Sequence, residues 1–201
     1  NERKADKKRE LLPFYLPWVA GVLANGKGAQ DDIVMTVMLW RLDADDIAGA
    51  LEIARYAMTY GLTMPTGRRP TPYLLAEEVA LSAQRLLAAK QPVELANLLD
   101  TIALTERADM PDIVRAKLHK ITGYVLRDAN QLPEALTHLQ RAIQLERTIG
   151  VKKDIEQLER QLRPKPEPAP KATTTKPRTR KPAAKPAARR GRPPKTAKAA
   201  G

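Results

Sequence analysis

Cysteine is absent from the 201 residues of this chain. Disulfide bonds, thiolate metal sites and a cysteine nucleophile are therefore all excluded. The chain has only two histidines, and no combination of histidine and carboxylate has the spacing of a zinc site. It also has no run of about 18 apolar residues and no signal-peptide pattern. We therefore expect no metal site and no membrane partner, and a protein that stays in the compartment where it is made.

Signals of nucleotide binding are missing as well. Gly26-Lys27-Gly28 is a short glycine-containing segment, but it lacks the full spacing and the preceding strand of a phosphate-binding loop. No segment shows the sustained alternation of apolar and polar residues that is typical of a strand. The sequence thus argues against an ATPase and predicts a fold without strands.

Positive charge is concentrated at one end of the chain. Residues 164–201 contain 12 Lys or Arg and one Glu, a net charge of +11, whereas the whole chain carries +12. The same segment holds nine of the 17 prolines and no aromatic residue. Such a composition buries too little apolar surface to offset the entropy of ordering. We therefore predict two parts: a helical core over residues 1–163, and a disordered basic tail over residues 164–201.

The tail contains a short motif that resembles the core of an AT-hook. Glycine allows the backbone to approach the floor of a narrow minor groove, and arginines on either side extend along that groove. An alternative is a cationic tail that binds phosphates without reading sequence. Both alternatives favour nucleic acid over membrane, because the tail has no apolar anchors. The candidate DNA-binding residues are Arg189, Arg190, Gly191, Arg192, Pro193 and Lys195.

A second basic segment lies in the loop LTMPTGRRPTP at residues 62–72, where three prolines and a glycine interrupt any helix. Arg68 and Arg69 make this loop locally positive and are candidates for a secondary phosphate or partner contact. A solvated loop without such a contact is the more common outcome for a sequence of this kind.

The segment from Gly28 to Leu62 has the pattern of a helical hairpin. Ile33, Val37 and Trp40 recur at helical spacing in its first half and predict a buried stripe that includes Trp40. The second half carries a comparable apolar face, which consists of Ile47, Ala50, Leu51, Ala54, Ala57 and Met58.

The boundaries of this hairpin are marked by residues that commonly begin and end helices. Aspartates in Asp43-Ala44-Asp45-Asp46 accept hydrogen bonds from free N–H groups in a first turn and favour its positive end. Gly61 is expected to end the second helix, with Leu62 making the hydrophobic contact that accompanies such an end. Asp31 and Asp32 precede the first helix.

Helical spacing continues beyond the hairpin. Further helices are predicted over residues 73–89, from residue 91 onward, and over residues 111–128, 132–147 and 151–162. The strings IAGALEIARYAM (residues 47–58) and LPEALTHLQRAI (residues 132–143) share an apolar register similar to the second helix of tetratricopeptide hairpins. The sequence thus predicts an all-α core of antiparallel helical hairpins.

The first 25 residues combine charge with aromatic side chains. Residues 1–10 are charged and compatible with a helix, and a separate short helix is predicted over residues 13–24, whose two prolines would fall in its first turn. We expect Phe14, Tyr15 and Trp18 in that segment to pack into the core.

Catalytic groups are hard to assemble from this sequence. A two-metal nuclease needs several carboxylates that converge on one point. Asp31 and Asp32 lie at one end of a helix of about ten residues, and Asp43, Asp45 and Asp46 lie at its other end, about 15 Å away. Asp43, Asp45 and Asp46 could come together, but helix capping is the preferred interpretation of these three residues.

The two histidines are assigned in the same way. His119 and His138 fall on different predicted helices. For His119, a position at the helix surface is favoured over a metal site.

Several strings together resemble one known family. They are LLPFYLPWVAGVL (residues 11–23), GKGAQDDIVMTVMLWRLDADDIAGALEIARYAMTYGLTMP (residues 26–65), ADMPDIVRAKLHKITGYVLRD (residues 108–128), GVKKDIEQLERQLRPKPEP (residues 150–168) and RRGRPPK (residues 189–195). In collinear order they are similar to the small terminase subunit of temperate contractile-tailed phages. The chain begins without Met, and relatives carry further residues upstream. The DNA-reading helices usual at small-terminase N-termini are therefore expected to be absent here.

The resemblance implies a function in the host cell cytoplasm and a set of partners. These are double-stranded viral DNA, the large terminase subunit and further copies of the chain in a homo-oligomeric ring. Mg²⁺ and ATP are expected only with the large ATPase/nuclease subunit, which would cut cohesive ends and package DNA into the capsid. Two alternatives remain: an endonuclease subunit that itself cuts DNA at the packaging site, as the family is commonly described, and a helical scaffold with a nonspecific DNA-tethering tail.

Overall fold

The computed structural model of the chain describes residues 2–163 except positions 66 and 68. Eight helices and no strand are present in that part of the chain, which confirms the predicted all-α fold. The predicted disorder of residues 164–201 lies outside the described residues. The helices are α1 (Glu2–Asn25), α2 (Asp32–Asp43), α3 (Ile47–Tyr60), α4 (Thr71–Ala88), α5 (Leu95–Thr105), α6 (Asp112–Asp128), α7 (Leu132–Leu145) and α8 (Lys152–Leu162).

Helix α1 is one continuous helix of 24 residues, and the prediction of a separate helix over residues 13–24 is wrong. Pro13 and Pro17 lie inside it, four residues apart and exposed. Each proline leaves one carbonyl a turn earlier without its helical donor. Because the prolines lie on the solvent side, water can satisfy these carbonyls. The charged residues before Pro13 have good helix propensity and extend the helix toward the N-terminus.

Capping residues define the α2–α3 hairpin as the sequence predicts. The Asp31 carboxylate accepts a hydrogen bond from the Val34 amide at 2.9 Å, and the Asp46 carboxylate accepts one from the Gly49 amide at 2.9 Å. Gly61 ends α3 in the left-handed conformation at φ 68°, where a side chain would be strained.

The buried face of α2 is rotated from the predicted stripe. Val37 is buried as predicted, but Ile33 is 44% exposed and Trp40 is only partly buried, so the prediction of a buried position is wrong for these two residues. Helix α2 contacts α1, α3 and α4, so neighbours on several sides cover its surface. The residues of α2 that are buried are Val34, Met35, Val37, Met38 and Leu42.

Helices α4 and α5 do not begin at the predicted residues, which were 73 and 91. Helix α4 begins at Thr71, whose hydroxyl donates to the Leu62 carbonyl at 2.6 Å and fixes the entry of the helix. Helix α5 begins only at Leu95, because Lys90 takes a left-handed conformation at φ 56° and the chain then runs without helix.

Two apolar clusters hold the helices together. The larger one includes buried side chains from α1 to α6, and the smaller one joins α6, α7 and α8. Helices α6 and α7 approach closely at Gly123, where an added Cβ would lie 2.7 Å from a methyl carbon of Leu139. Ala50 and Ala135, which match in the internal repeat, are both fully buried.

Candidate functional site

The aspartates near the α2–α3 hairpin act structurally. Asp31 and Asp46 cap helices. Asp43 forms an ion pair with Lys8, and the Asp45 carboxylate accepts hydrogen bonds from Ser82 at 2.8 Å and from the Arg85 guanidinium at 2.8 Å. No group of three or more His, Cys, Asp or Glu in the described part of the chain is arranged to hold a metal ion. The predicted capping role is confirmed for Asp46. It is wrong for Asp43 and Asp45, whose carboxylates pair with side chains of other helices.

The predicted secondary basic loop is only partly described. Arg68 lies outside the described residues. The Arg69 guanidinium pairs with the carboxylate of Glu77 and lies 5.4 Å from the centre of the Tyr73 ring. Because Glu77 already compensates its charge, Arg69 offers little free positive charge to a phosphate. A phosphate contact by this loop stays a prediction.

The candidate DNA-binding residues of the tail also lie outside the described residues. They are Arg189, Arg190, Gly191, Arg192, Pro193 and Lys195. Their assignment to the minor groove stays a prediction.

Helix α1 carries aromatic side chains on its surface, and the prediction that Phe14 and Trp18 pack into the core is wrong. Phe14 is 79% exposed and Trp18 is 53% exposed. They lie four residues apart and so share one side of the helix. The indole N–H of Trp18 donates to the Asp31 carboxylate at 3.0 Å, which places Trp18 beside the start of α2. Only Tyr15 of the three aromatics packs against the larger apolar cluster.

A groove runs between α1 and α2. The rings of Tyr15 and Trp40 meet edge-to-face with their centres 5.8 Å apart, an arrangement that aromatic pairs favour. The groove has a volume of about 270 Å³ and is lined by Tyr15, Asp32, Ile33, Thr36, Val37 and Trp40. Its lining is mainly apolar, so it suits an apolar or aromatic side chain.

His119 on α6 and His138 on α7 form a pair that was not predicted from the sequence. Their Nδ1 atoms lie 3.1 Å apart, so one ring donates a hydrogen bond and the other accepts it. Burial lowers the pKa of His119 to about 4, and His138, Arg141 and Arg115 add to this effect. Burial also lowers the pKa of His138. The pair is therefore uncharged at neutral pH.

The signal for this pair is its position in the hairpin. Helix α6 ends at Asp128 and α7 begins at Leu132, and such a short connection makes the two helices antiparallel neighbours. The sequence therefore indicates that the two histidines lie on adjacent helices. It does not by itself indicate that their rings meet.

A second cavity of about 430 Å³ lies between α4, α5, α6 and α7, next to His119. Arg115 and Arg141 line it together with Glu106 and Asp112. The two guanidinium groups and the two carboxylates balance each other in charge. The Arg115 guanidinium is also bound to the backbone carbonyls of Thr105 and Ala108. The cavity therefore shows no clear preference for an anion or a cation.

No helix among the described residues has the length and apolar character needed to cross a membrane.

Comparison with known proteins identifies the class of this chain. A family model described as phage small terminase subunit matches residues 1–113. The match spans more than half of the 201 residues, so the chain belongs to the phage small terminase subunit family, as the resemblance predicted. Membership in this family supports a role in viral DNA packaging.

Two particular relatives are named terminase subunits. The chain is 64% identical over 197 residues to "Terminase, endonuclease subunit" of Escherichia phage P2, covering 98% of this chain and 79% of that protein. It is 29% identical over 170 residues to "Probable terminase, endonuclease subunit" of Haemophilus phage HP1, covering 76% of this chain and 60% of that protein. No solved structure matches this chain significantly.

Proposed function

We propose that this chain binds viral DNA and presents it to the large terminase subunit, which cuts cohesive ends and drives packaging into the capsid. Family membership supports the packaging role. The uneven charge distribution supports the DNA contact, because residues 164–201 carry +11 and residues 1–163 only +1. In this proposal the helical core assembles into a homo-oligomeric ring and docks the large subunit in the host cell cytoplasm. Mg²⁺ and ATP act with the large subunit.

The observation that carries the DNA contact is the charge of the tail. Lys and Arg that neutralise phosphates release counterions, so binding weakens steeply as salt rises. This attraction does not depend on DNA sequence. A preference for A·T-rich duplex requires in addition that Arg190 and Arg192 enter a narrow minor groove, where Gly191 permits close approach.

Gly191→Ala separates these two contributions. The substitution keeps every charge and adds a methyl group where contact with the groove floor is closest. We expect it to lower the preference for A·T-rich over G·C-rich duplex and to leave nonspecific binding nearly unchanged. Arg190→Ala combined with Arg192→Ala should weaken binding to both duplexes, because it removes two phosphate-neutralising cations.

The measurement is competition binding on the two duplex types at one fixed salt concentration. If the unmodified chain has no A·T preference, or Gly191→Ala leaves it unchanged, the tail is a nonspecific polycation. If deleting residues 164–201 leaves DNA affinity unchanged, the tail is not the DNA-binding segment.

The names of the relatives favour a second candidate, an endonuclease that cuts DNA itself. Incubation of the purified chain with cohesive-end DNA and Mg²⁺, with and without the large subunit, distinguishes the two functions. Cleavage by this chain alone supports the second candidate, and cleavage only with the large subunit supports the first. A pull-down with the large subunit tests the third alternative, a scaffold with a nonspecific DNA tether, which predicts no such complex.

A further inference from the structure

Three of the helix-to-helix turns in the core are built alike. The non-glycine residues with positive φ in the described part of the chain are Asp45, Lys90 and Asn130, at 65°, 56° and 59°. They lie two residues after the ends of α2, α4 and α6. The next amide in each turn donates to the carbonyl five residues earlier, at 2.8 Å, 2.8 Å and 2.9 Å. The pairs α2–α3, α4–α5 and α6–α7 are therefore repeats of one helical hairpin.

The three hairpins stack in order. Their first helices contact one another in turn, α2 with α4 and α4 with α6, and so form one side of the stack. Helix α8 packs on α7 as α4 packs on α3 and α6 packs on α5, so it continues this row of first helices. Stacked helical hairpins of this kind commonly bind an extended segment of a partner along one side.

The exposed side of α6 carries three cations and one aromatic ring. Lys117, Lys120, Tyr124 and Arg127 follow one another at intervals of three or four residues and so share one side of the helix over about 15 Å. We call these four residues the α6 face. Lys120 Nζ lies 5.8 Å and Arg127 Cζ lies 4.8 Å from the centre of the Tyr124 ring. Both cations are thus held against the ring.

The groups that this face already binds within the chain are those of a peptide. The Lys120 ammonium donates to the backbone carbonyl of Ile149 at 2.8 Å. The Tyr124 hydroxyl and the Arg127 guanidinium donate to the Asp154 carboxylate at 3.2 Å and 3.4 Å. These two distances are long for hydrogen bonds to a charged group. An incoming carboxylate could therefore replace that of Asp154.

The lysines of the face favour an acidic partner. Lys117 is exposed and forms no ion pair in the described part of the chain, and the partner of Lys120 is a neutral carbonyl. Lys120, Tyr124 and Arg127 are partly buried beside the start of α8. A rigid duplex reaches protruding cations, whereas a flexible extended strand can reach recessed ones. An acidic peptide therefore fits this face better than double-stranded DNA does.

We propose that the α6 face binds an extended, acidic segment of the large terminase subunit. Its carboxylates pair with Lys117 and Lys120 and compete with Asp154 for Tyr124 and Arg127. This docking rests on the proposed function, in which the core binds the large subunit, and specifies the surface and the chemistry of the contact.

Lys117→Glu tests the contact, with Lys4→Glu as its matched control. Both reverse the charge of an exposed helical lysine, and Lys4 lies on α1, which packs on α2 and α3. Binding of the full chain to the purified large subunit is measured by isothermal titration calorimetry at several salt concentrations. We expect Lys117→Glu to raise Kd about tenfold, because it sets like charges against each other. Lys4→Glu should leave Kd nearly unchanged, and the Kd of the parent chain should rise with salt.

Asp154→Asn separates docking from a purely structural role of the face. The substitution keeps the shape of the side chain and an oxygen that accepts from Tyr124 and Arg127, but it removes the competing charge. We expect Kd for the large subunit to fall about threefold, as for release of one exposed ion pair. Circular dichroism should show the same helicity for Asp154→Asn, Lys117→Glu and the parent chain.

Each of the other outcomes overturns the proposal. Equal Kd for Lys117→Glu and the parent chain means that the large subunit does not dock on this face. Unchanged or weaker binding by Asp154→Asn means that Tyr124 and Arg127 only hold α8 in place. Weaker DNA binding by Lys117→Glu in the competition assay, with unchanged binding of the large subunit, assigns the face to DNA.

Failure of the proposed function gives a different result. If the parent chain itself forms no complex with the large subunit, the docking step of that function is refuted, and the proposed occupant of the face with it. A complex that forms but ignores Lys117→Glu refutes the α6 face alone.

Discussion

Single residues in this core show which contacts a sequence can predict. The start of α2 at Asp31 and the capping role of Asp46 depend on contacts within three residues along the chain, so the sequence alone predicts them correctly. The His119–His138 contact joins two helices, and its prediction also requires the register of the hairpin. Exposure of Phe14 and Trp18 was not predicted, because an aromatic residue at helical spacing is compatible with either a core or a surface position.

The histidine pair makes the stability of the core depend on pH. The pKa of His119 is about 4 in the folded chain, below the value of about 6.5 expected when unfolded. Between these values the unfolded state binds the proton that the folded state excludes, so stability falls as pH is lowered. His138, whose pKa is also lowered, acts in the same direction. We expect full stability above about pH 6.5 and, discounting for partial exposure, a loss of about 1–2 kcal/mol by pH 4 from His119.

The measurement is urea unfolding at pH values between 4 and 7.5, for the parent chain and for His119→Gln. Glutamine does not titrate and keeps a polar group opposite His138. Carboxylates contribute to both curves at the acid end, so the quantity of interest is the difference between them. We expect the free energy of unfolding of the parent chain, relative to that of His119→Gln, to fall as pH is lowered from 6.5 to 4. Curves that stay parallel would show that His119 does not carry the dependence.

The sequence predicts that a helix is present more accurately than it predicts which face of the helix is buried or where the helix ends. All of the later helices appear where their spacing predicts them, with ends that differ where a left-handed residue such as Lys90 intervenes. The face of α2 was misplaced because this helix is apolar on more than one side, so periodicity does not select a single stripe. The unbroken α1 was missed because the tolerance of Pro13 and Pro17 depends on solvent reaching the free carbonyls, which is a tertiary property.

Two glycines in helix interiors provide a matched test of helix packing. Gly21→Ala in α1 adds a methyl group to open space, so it should stabilise the core by about 1 kcal/mol through helix propensity. Gly123→Ala in α6 gains the same propensity but pushes a methyl group against Leu139 and to 3.2 Å from the Ala135 carbonyl. Overpacking of this kind costs about 1–3 kcal/mol. We expect Gly123→Ala to be less stable than Gly21→Ala by about that amount.

Thermal and urea unfolding of the two variants provide this comparison. Equal stabilisation by both substitutions would show that the α6–α7 contact has room for a methyl group.

At the scale of the whole molecule, composition separates the chain into a nearly neutral part and a strongly basic part. This separation is visible in the sequence because charge and apolar content need no structural information. The structure was needed to show which helices pack together. One apolar cluster spans α1 to α6, and a smaller one joins α6 to α8. Weak similarity between residues 47–58 and 132–143 indicates paired helices but not which pairs meet.

Removal of residues 164–201 tests the independence of the core. The deletion takes away a net charge of +11 and no large apolar side chain. We expect the melting temperature and the helicity per core residue to stay nearly the same, as measured by circular dichroism. A loss of several degrees would show that the tail packs against the core.

The two tryptophans of the chain are Trp18 in α1 and Trp40 in α2, and the smaller apolar cluster contains none. Intrinsic tryptophan emission is therefore a local signal from the first two helices, whereas circular dichroism averages over every helix of the chain. If the two apolar clusters unfold as one cooperative unit, both signals change together. If they do not, the separation between the two unfolding curves measures how strongly helices α6 to α8 are coupled to the rest of the core.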